Sequence, residues 1–157
     1  MGRVNGIGGS TGVGTSGQLS LQQQAYSSLI QGLENVLNSI KTYNINKNAK
    51  AIAKEYPTTK GGYFGKKGSS TNKRVINTDN PISEAANFFN KISMGYTHIK
   101  HDGKAKLAYL PDGSIITYRV YTITSKTGRS PAVDINVKSS KANPKIKDQR
   151  IHFEEGK

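Results

Sequence analysis

Residues 116–121 read ITYRVY, a segment in which apolar and polar side chains alternate. Alternation of period two predicts a β-strand with one buried face and one open face. The same alternation recurs in AVDINV at residues 132–137 and in RIHF at residues 150–153. If these strands share a sheet, their polar positions lie on one surface. The predicted polar surface carries Thr117, Arg119, Asp134, Asn136, Arg150 and His152.

Turn residues between the segments indicate antiparallel pairing. Residues 111–114 read PDGS, a composition suited to a tight reversal, so residues 107–110 are expected to form a fourth strand. Residues 126–129 read KTGR and predict a longer basic loop before the next strand.

Two helices with apolar stripes are predicted, and a weaker one lies between them. Apolar residues recur every three or four positions in residues 21–41, which predicts a helix with one apolar face. The first expectation is that this face packs in the core. The alternative is a helix that docks a partner or caps the sheet. Residues 45–55 favour a short helix that Pro57 ends. Asn80 and Pro81 are typical of a helix start, and Phe88 and Phe89 follow on the expected core side. The predicted fold class is α+β, with N-terminal helices packed on a small four-stranded antiparallel sheet.

The charge of the chain points to a polyanion. The 157 residues include 23 Lys and Arg against 10 Asp and Glu, a net charge of +13. Nucleic acid is the favoured partner, and a basic surface without function or an acidic protein partner is the alternative. The sequence has no Cys, which excludes disulfides and thiolate metal sites, and it contains neither a stretch long enough to span a membrane nor a signal peptide.

Three regions are expected along the chain. Residues 1–17 have the composition of a flexible Gly/Ser linker, and the GVGTSG string within them lacks the strand and the acidic residue of a dinucleotide site. Residues 18–78 are expected to be helical with a basic loop over residues 58–78, which could clamp phosphates and stack an unpaired base or simply be solvated. Residues 79–157 would hold the helix and the sheet.

Two histidines precede the sheet, in residues 95–103. His98 and His101 lie three residues apart and would face opposite sides of a strand, so joint metal ligation is disfavoured. Each is a candidate second base, and a surface histidine is the alternative.

The succession from residue 80 to residue 153 resembles the C-terminal toxin domains of bacterial polymorphic toxins. The similarity is carried by the Pro-led helix, the Asp112-Gly113 turn, Thr117-Tyr118-Arg119, the SPAVDIN segment at residues 130–136 and the closing IHF. Such domains resemble ribonucleases of the barnase, EndoU and RelE-like class, which cut RNA on the open face of a four-stranded sheet. The resemblance implies that Arg119, Asp134, His152 and Thr122 are catalytic. Thr122 needs a β-bulge to share a face with Arg119.

The implied reaction is metal-independent RNA cleavage, in tRNA or rRNA, by attack of the 2′-hydroxyl. His152 would be the principal acid or base, Arg119 the phosphate clamp, and Asp134 a second acid–base group or the carboxylate that orients His152. The expected substrate-binding residues are Thr117, Asn136, Arg150, Lys126, Arg129 and Lys147. No metal or other cofactor is expected. The alternatives are a non-catalytic basic RNA- or DNA-binding module, a metal-dependent DNase toxin, and a structural export or docking domain.

A toxin must be neutralised in the cell that makes it. The expected partners are therefore RNA and an acidic cognate immunity protein, with the domain a monomer or a 1:1 complex with that protein. The domain is expected to be secreted or delivered from the cell surface as part of a larger protein and to act in the cytoplasm of the target cell.

Overall fold

The computed structural model describes residues 20–124 and 128–156, apart from the side chains of residues 122–129. The predicted linker at residues 1–17, Lys126, and the side chains of Thr122 and Arg129 lie outside this description. The chain divides into two compact units, residues 1–38 and residues 39–157. The second unit holds the sheet together with residues 39–78, which the sequence analysis assigned to a separate helical region.

Helix α1 runs Leu21–Thr42 and confirms the predicted helix. Its first turn is closed by a capping box, in which Ser20 Oγ accepts from the Gln23 amide and Gln23 Oε1 accepts from the Ser20 amide, both at 3.1 Å. None of its residues is buried, and Leu33 is 53% exposed. Core packing of the stripe is thus not confirmed among the described residues. A period of 3.6 fixes which side chains share a face and does not fix what covers that face.

Helix α2 runs Ile45–Ala51 and is shorter than predicted. Asn44 caps it by accepting from the Lys47 amide at 2.9 Å, and residues 52–55 continue as turns. The buried Asn48 amide donates to the carbonyls of Ile92 and Met94 at 2.8 and 2.9 Å. Those two bonds fix α2 to the end of the next helix.

The sheet has seven strands in the order β1-β2-β7-β6-β5-β4-β3. The α+β class is confirmed, and the prediction of four antiparallel strands is wrong, since β2 runs parallel to β7. The strands are β1 Lys66–Lys67, β2 Lys73–Thr78, β3 His98–Asp102, β4 Ala105–Tyr109, β5 Ile115–Thr124, β6 Gly128–Asn136 and β7 Gln149–Glu155.

Strand β2 lies where a basic loop was predicted, and Arg74 shows why the sequence was misleading. This side chain is 6% exposed, and its guanidinium donates to the carbonyls of Phe64, Gly65 and Thr71 at 2.9 to 3.1 Å. A buried guanidinium is stable when backbone carbonyls accept its hydrogen bonds. The composition of the segment cannot distinguish such an arginine from a solvated one.

Helix α3 runs Pro81–Ile92 and packs on one face of the sheet. Asn80 occupies the N-cap without a side-chain cap bond, and Pro81 opens the helix as predicted. Phe88 and Phe89 are 0% and 3% exposed, which confirms both as core residues. Apolar residues of β4 to β7 face α3, so the polar positions of the same strands are left on the opposite face.

Candidate nucleic-acid interface

The register of three strands assembles the polar face. Thr117 pairs with Asp134, and Asp134 pairs with Arg150. In the next row, Arg119 and His152 pair with opposite sides of Ala132. Directly paired residues point to the same side of a sheet, so all five polar side chains share the face away from α3. Asn136 occupies the same face one row further on, opposite Ile115.

Asp134 holds two arginines. Its carboxylate accepts from Arg150 Nε at 2.6 Å and Nη2 at 3.0 Å, and from Arg119 Nε at 3.1 Å. The carboxylate side chain is 21% exposed and those of the arginines are 33% and 40% exposed. Hydrogen bonding to Asp134 raises the pKa of Arg150. Each guanidinium has five N–H donors, so both keep donors that can reach a phosphate from solvent.

The imidazole of His152 lies beside a buried hydroxyl. His152 Nδ1 is 3.1 Å from the Oγ of Ser130, which is 3% exposed. Burial lowers the pKa of His152 most, and the positive charge of Arg150 lowers it further. Glu154 and Asp134 oppose this with smaller effects, and Lys73 adds the smallest lowering. The lowered pKa favours the neutral imidazole, the form that a proton acceptor needs.

The bonds of Asp134 bear on its two predicted roles. Both of its oxygens accept from arginine, whereas the His152 ring nitrogen described above contacts Ser130. This arrangement makes Asp134 the group that orients Arg119 and Arg150.

Two residues of this face were not predicted. Ser130 has the same strand parity as Ala132, and extending the alternation back through Pro131 would have found it. Lys73 pairs with Arg150 in the parallel β2–β7 ladder. No local pattern could have placed Lys73 there, because a parallel pairing of strands about seventy residues apart leaves no turn signal in the sequence.

The bulge that Thr122 required is present. Arg119 pairs with Ala132 and Thr122 pairs with Ser130, so β5 carries one more residue than β6 between these pairs.

The two candidate second bases are not brought to His152. Both lie in β3, at the opposite edge of the sheet from β2, and three strands separate β3 from β7. Counted along the paired rows, His98 is also offset from His152 by the four residues between Asn136 and Ala132. At ~4.8 Å per strand and ~3.4 Å per residue, His98 is roughly 24 Å from His152. His98 is on the polar face, and His101 pairs with Lys106 on the α3 side. Lys147 is exposed in the segment before β7, where its amide donates to the Gly62 carbonyl at 3.1 Å.

Two further carboxylates near the sheet, Asp148 and Asp112, have structural contacts. Asp148 accepts from the Val137 amide at 2.6 Å and pairs with Lys138. Asp112 is fully buried in the turn between β4 and β5, where its Oδ2 accepts from Ser114 Oγ at 2.8 Å and Ser140 Oγ at 2.5 Å. Among residues 20–124 and 128–156, no three His, Asp or Glu side chains are grouped closely enough to hold a metal ion.

Comparisons with known proteins gave no relative: no protein-family model, no curated protein and no solved structure matches the chain. Within the described part of the chain, no helix combines the length and the apolar character needed to cross a membrane.

Proposed function

We propose that this chain is a metal-independent endoribonuclease domain of a bacterial polymorphic toxin, with its active site on the polar face of the sheet. The observation that carries the proposal is that His152 lies on the same open face of the sheet as two arginines oriented by the Asp134 carboxylate. The net charge of +13 favours a polyanionic substrate. Because the sheet has seven strands, the proposed likeness to barnase-like ribonucleases rests on the polar face and on the IHF motif at residues 151–153, and not on the number of strands.

The chemistry assigns one task to each group. The substrate's 2′-oxygen attacks the adjacent phosphorus while His152 takes the 2′-hydroxyl proton. Arg119 and Arg150 hold the phosphate oxygens, on which negative charge grows as the phosphorus becomes five-coordinate. The bond to the 5′-oxygen then breaks, that oxygen takes a proton from water, and a 2′,3′-cyclic phosphate remains. His152 returns its proton to solvent.

The test is incubation of the purified chain with total bacterial RNA in excess EDTA, followed by analysis of the fragment ends. The wild type should give discrete fragments ending in 2′,3′-cyclic phosphate, and His152→Ala should slow cleavage by about 10²- to 10⁴-fold. His101→Ala is the matched control, because it removes an exposed histidine from the other side of the sheet and should cleave at the wild-type rate.

Other outcomes would redirect the assignment. Intact RNA with binding retained would replace the enzyme by a basic binding module. Cleavage restored only by magnesium or zinc would point to the metal-dependent alternative.

The toxin assignment carries a proposed partner, an acidic immunity protein that covers Arg119, His152 and the surrounding cations. Opposite charge would steer such a protein to this face and lower its dissociation rate. RNA cleavage measured with and without a small acidic protein encoded beside the toxin tests the idea. A neighbour that binds and leaves cleavage unchanged would contradict it.

A further inference from the structure

The polar face continues beyond the arginines to an aromatic pair at the sheet edge. His98 of β3 pairs with Tyr109 of β4, Tyr109 pairs with Ile115 of β5, and Ile115 pairs with Asn136 of β6. This row lies beside the row that contains Asp134, on the same side of the sheet. The face away from α3 thus runs without interruption from His152 to His98.

The two rings at this edge are stacked. The His98 and Tyr109 ring centroids are 4.2 Å apart and their planes differ by 7°. His98 is exposed and Tyr109 is partly buried, so the stacked pair presents the imidazole to solvent. A flat π-surface exposed in this way resembles the platforms on which unpaired bases stack.

Thr97 fixes the platform in place. Its amide and hydroxyl donate to the Tyr109 carbonyl at 2.7 and 3.1 Å, and its Oγ lies 3.1 Å from His98 Nδ1. The Thr97 hydroxyl therefore lies within hydrogen-bonding distance of both the Tyr109 carbonyl and the His98 ring. A ring held by this bond and by the stack loses little freedom when a ligand binds.

The spacing suits a flexible polyanion. Three strand steps and one row separate His98 from Asp134, which is roughly 16 Å at ~4.8 Å per strand and ~3.4 Å per residue. A single nucleotide is too short to span this distance, whereas a segment of a few nucleotides is long enough. Leu107 and Thr117 lie between the two points, with Lys100 in the same row. A strand of RNA could therefore lay its backbone on the arginines and a distal base on His98.

We propose that His98 and Tyr109 form a base-stacking subsite for single-stranded RNA whose phosphate is held at Arg119 and Arg150. This inference rests on the proposed function and adds the class of substrate, an unpaired segment several nucleotides long. The sugar-phosphate chain of a regular duplex keeps its bases stacked inside and cannot offer one to the platform.

The test measures equilibrium binding of 2′-O-methyl RNA, which lacks the attacking hydroxyl and stays intact. Single strands from about two to about eight nucleotides are compared with a duplex of the longest sequence. The dissociation constant of the long single strand should rise roughly 5- to 150-fold in Tyr109→Leu and in His98→Ala, the range that corresponds to loss of one base–aromatic stack. The shortest strand cannot reach the platform, so its dissociation constant should be the same for both variants and for the wild type.

Two variants serve as controls. Tyr109→Phe keeps the ring and should bind as the wild type does. Tyr121→Leu removes a 47% exposed tyrosine that stacks on no ring among the described residues, and it should leave binding unchanged. His98 is exposed, so His98→Ala should preserve the fold. If Tyr109→Leu is unstable, the dissociation constant measured with His98→Ala decides the test.

The outcomes separate the subsite from the ribonuclease. Equal binding of the long strand by wild type and His98→Ala, with RNA cleavage intact, would overturn the subsite alone. Binding of duplex as tight as that of the single strand, with the same sensitivity to His98→Ala, would overturn the single-strand assignment. A wild type that neither binds nor cleaves RNA would overturn both proposals.

Discussion

The two faces of the sheet are built from the same strands and differ in what their side chains contact. On the α3 side, Phe88 is fully buried and meets Tyr56, Phe64 and Phe153 at ring-centroid distances of 5.0 to 5.7 Å. On the other side, the contacts of Asp134 are charged hydrogen bonds with half-exposed arginines. Strand parity therefore separates the apolar core from the charged surface, and substitutions on the two faces should have different consequences.

The largest effect on stability is expected at Phe88. Phe88→Ala removes a fully buried ring and leaves a cavity among three aromatic neighbours, so the free energy of unfolding should fall by about 3–5 kcal/mol. Urea unfolding of the two proteins measures the difference. Ile82→Ala on the same helix removes a side chain that is 46% exposed and should cost under ~1 kcal/mol. Similar costs for the two variants would show that α3 does not form the core.

An intermediate effect is expected at the centre of the polar face. Asp134→Ala leaves Arg119 and Arg150 without their shared acceptor, which should lower the free energy of unfolding by about 1–2 kcal/mol after allowance for solvent at the half-exposed arginines.

The control for Asp134 is Glu154→Ala, a carboxylate two residues beyond His152 on β7. It should change the unfolding free energy by under ~0.5 kcal/mol. If removing Asp134 costs no more than removing Glu154, the carboxylate contributes nothing to the order of this face.

The smallest effect is the pH dependence that His152 contributes. Its folded-state pKa is lowered from 6.5, first by burial and then by Arg150, so the folded protein disfavours the protonated ring. Unfolding then takes up a proton between the folded-state pKa and 6.5, and the free energy of unfolding falls as the pH drops through that window. His152→Gln should remove this part of the pH dependence.

An NMR titration of the imidazole checks the sign. The pKa of His152 should lie below 6.5, and Arg150→Gln should raise it because one of the positive charges near the ring is lost. A pKa above 6.5 in the wild type would contradict the expected effect of burial on His152 and weaken the proposal that it is the proton acceptor.

Helices α1 and α3 show what the spacing of apolar residues can predict and what it cannot. Both were predicted from apolar spacing, and both exist. Yet α3 buries Phe88 completely, whereas Leu33 in α1 is 53% exposed. The pattern of a helix depends on neighbours three and four residues away, so the sequence specifies it. Burial depends on distant segments, which the pattern does not contain.

The sequence by itself determined the helices, the alternation of β5 to β7 and the shared face of Arg119, Asp134 and His152, because these follow from local periods of 3.6 and 2. Only the tertiary structure decided the parallel β2–β7 pairing, the approach of Lys73 and Ser130 to the candidate site, and the bonds of both arginines to Asp134. Those contacts join segments far apart in the chain, and their free energy depends on burial and register, which exist only once the sheet has formed.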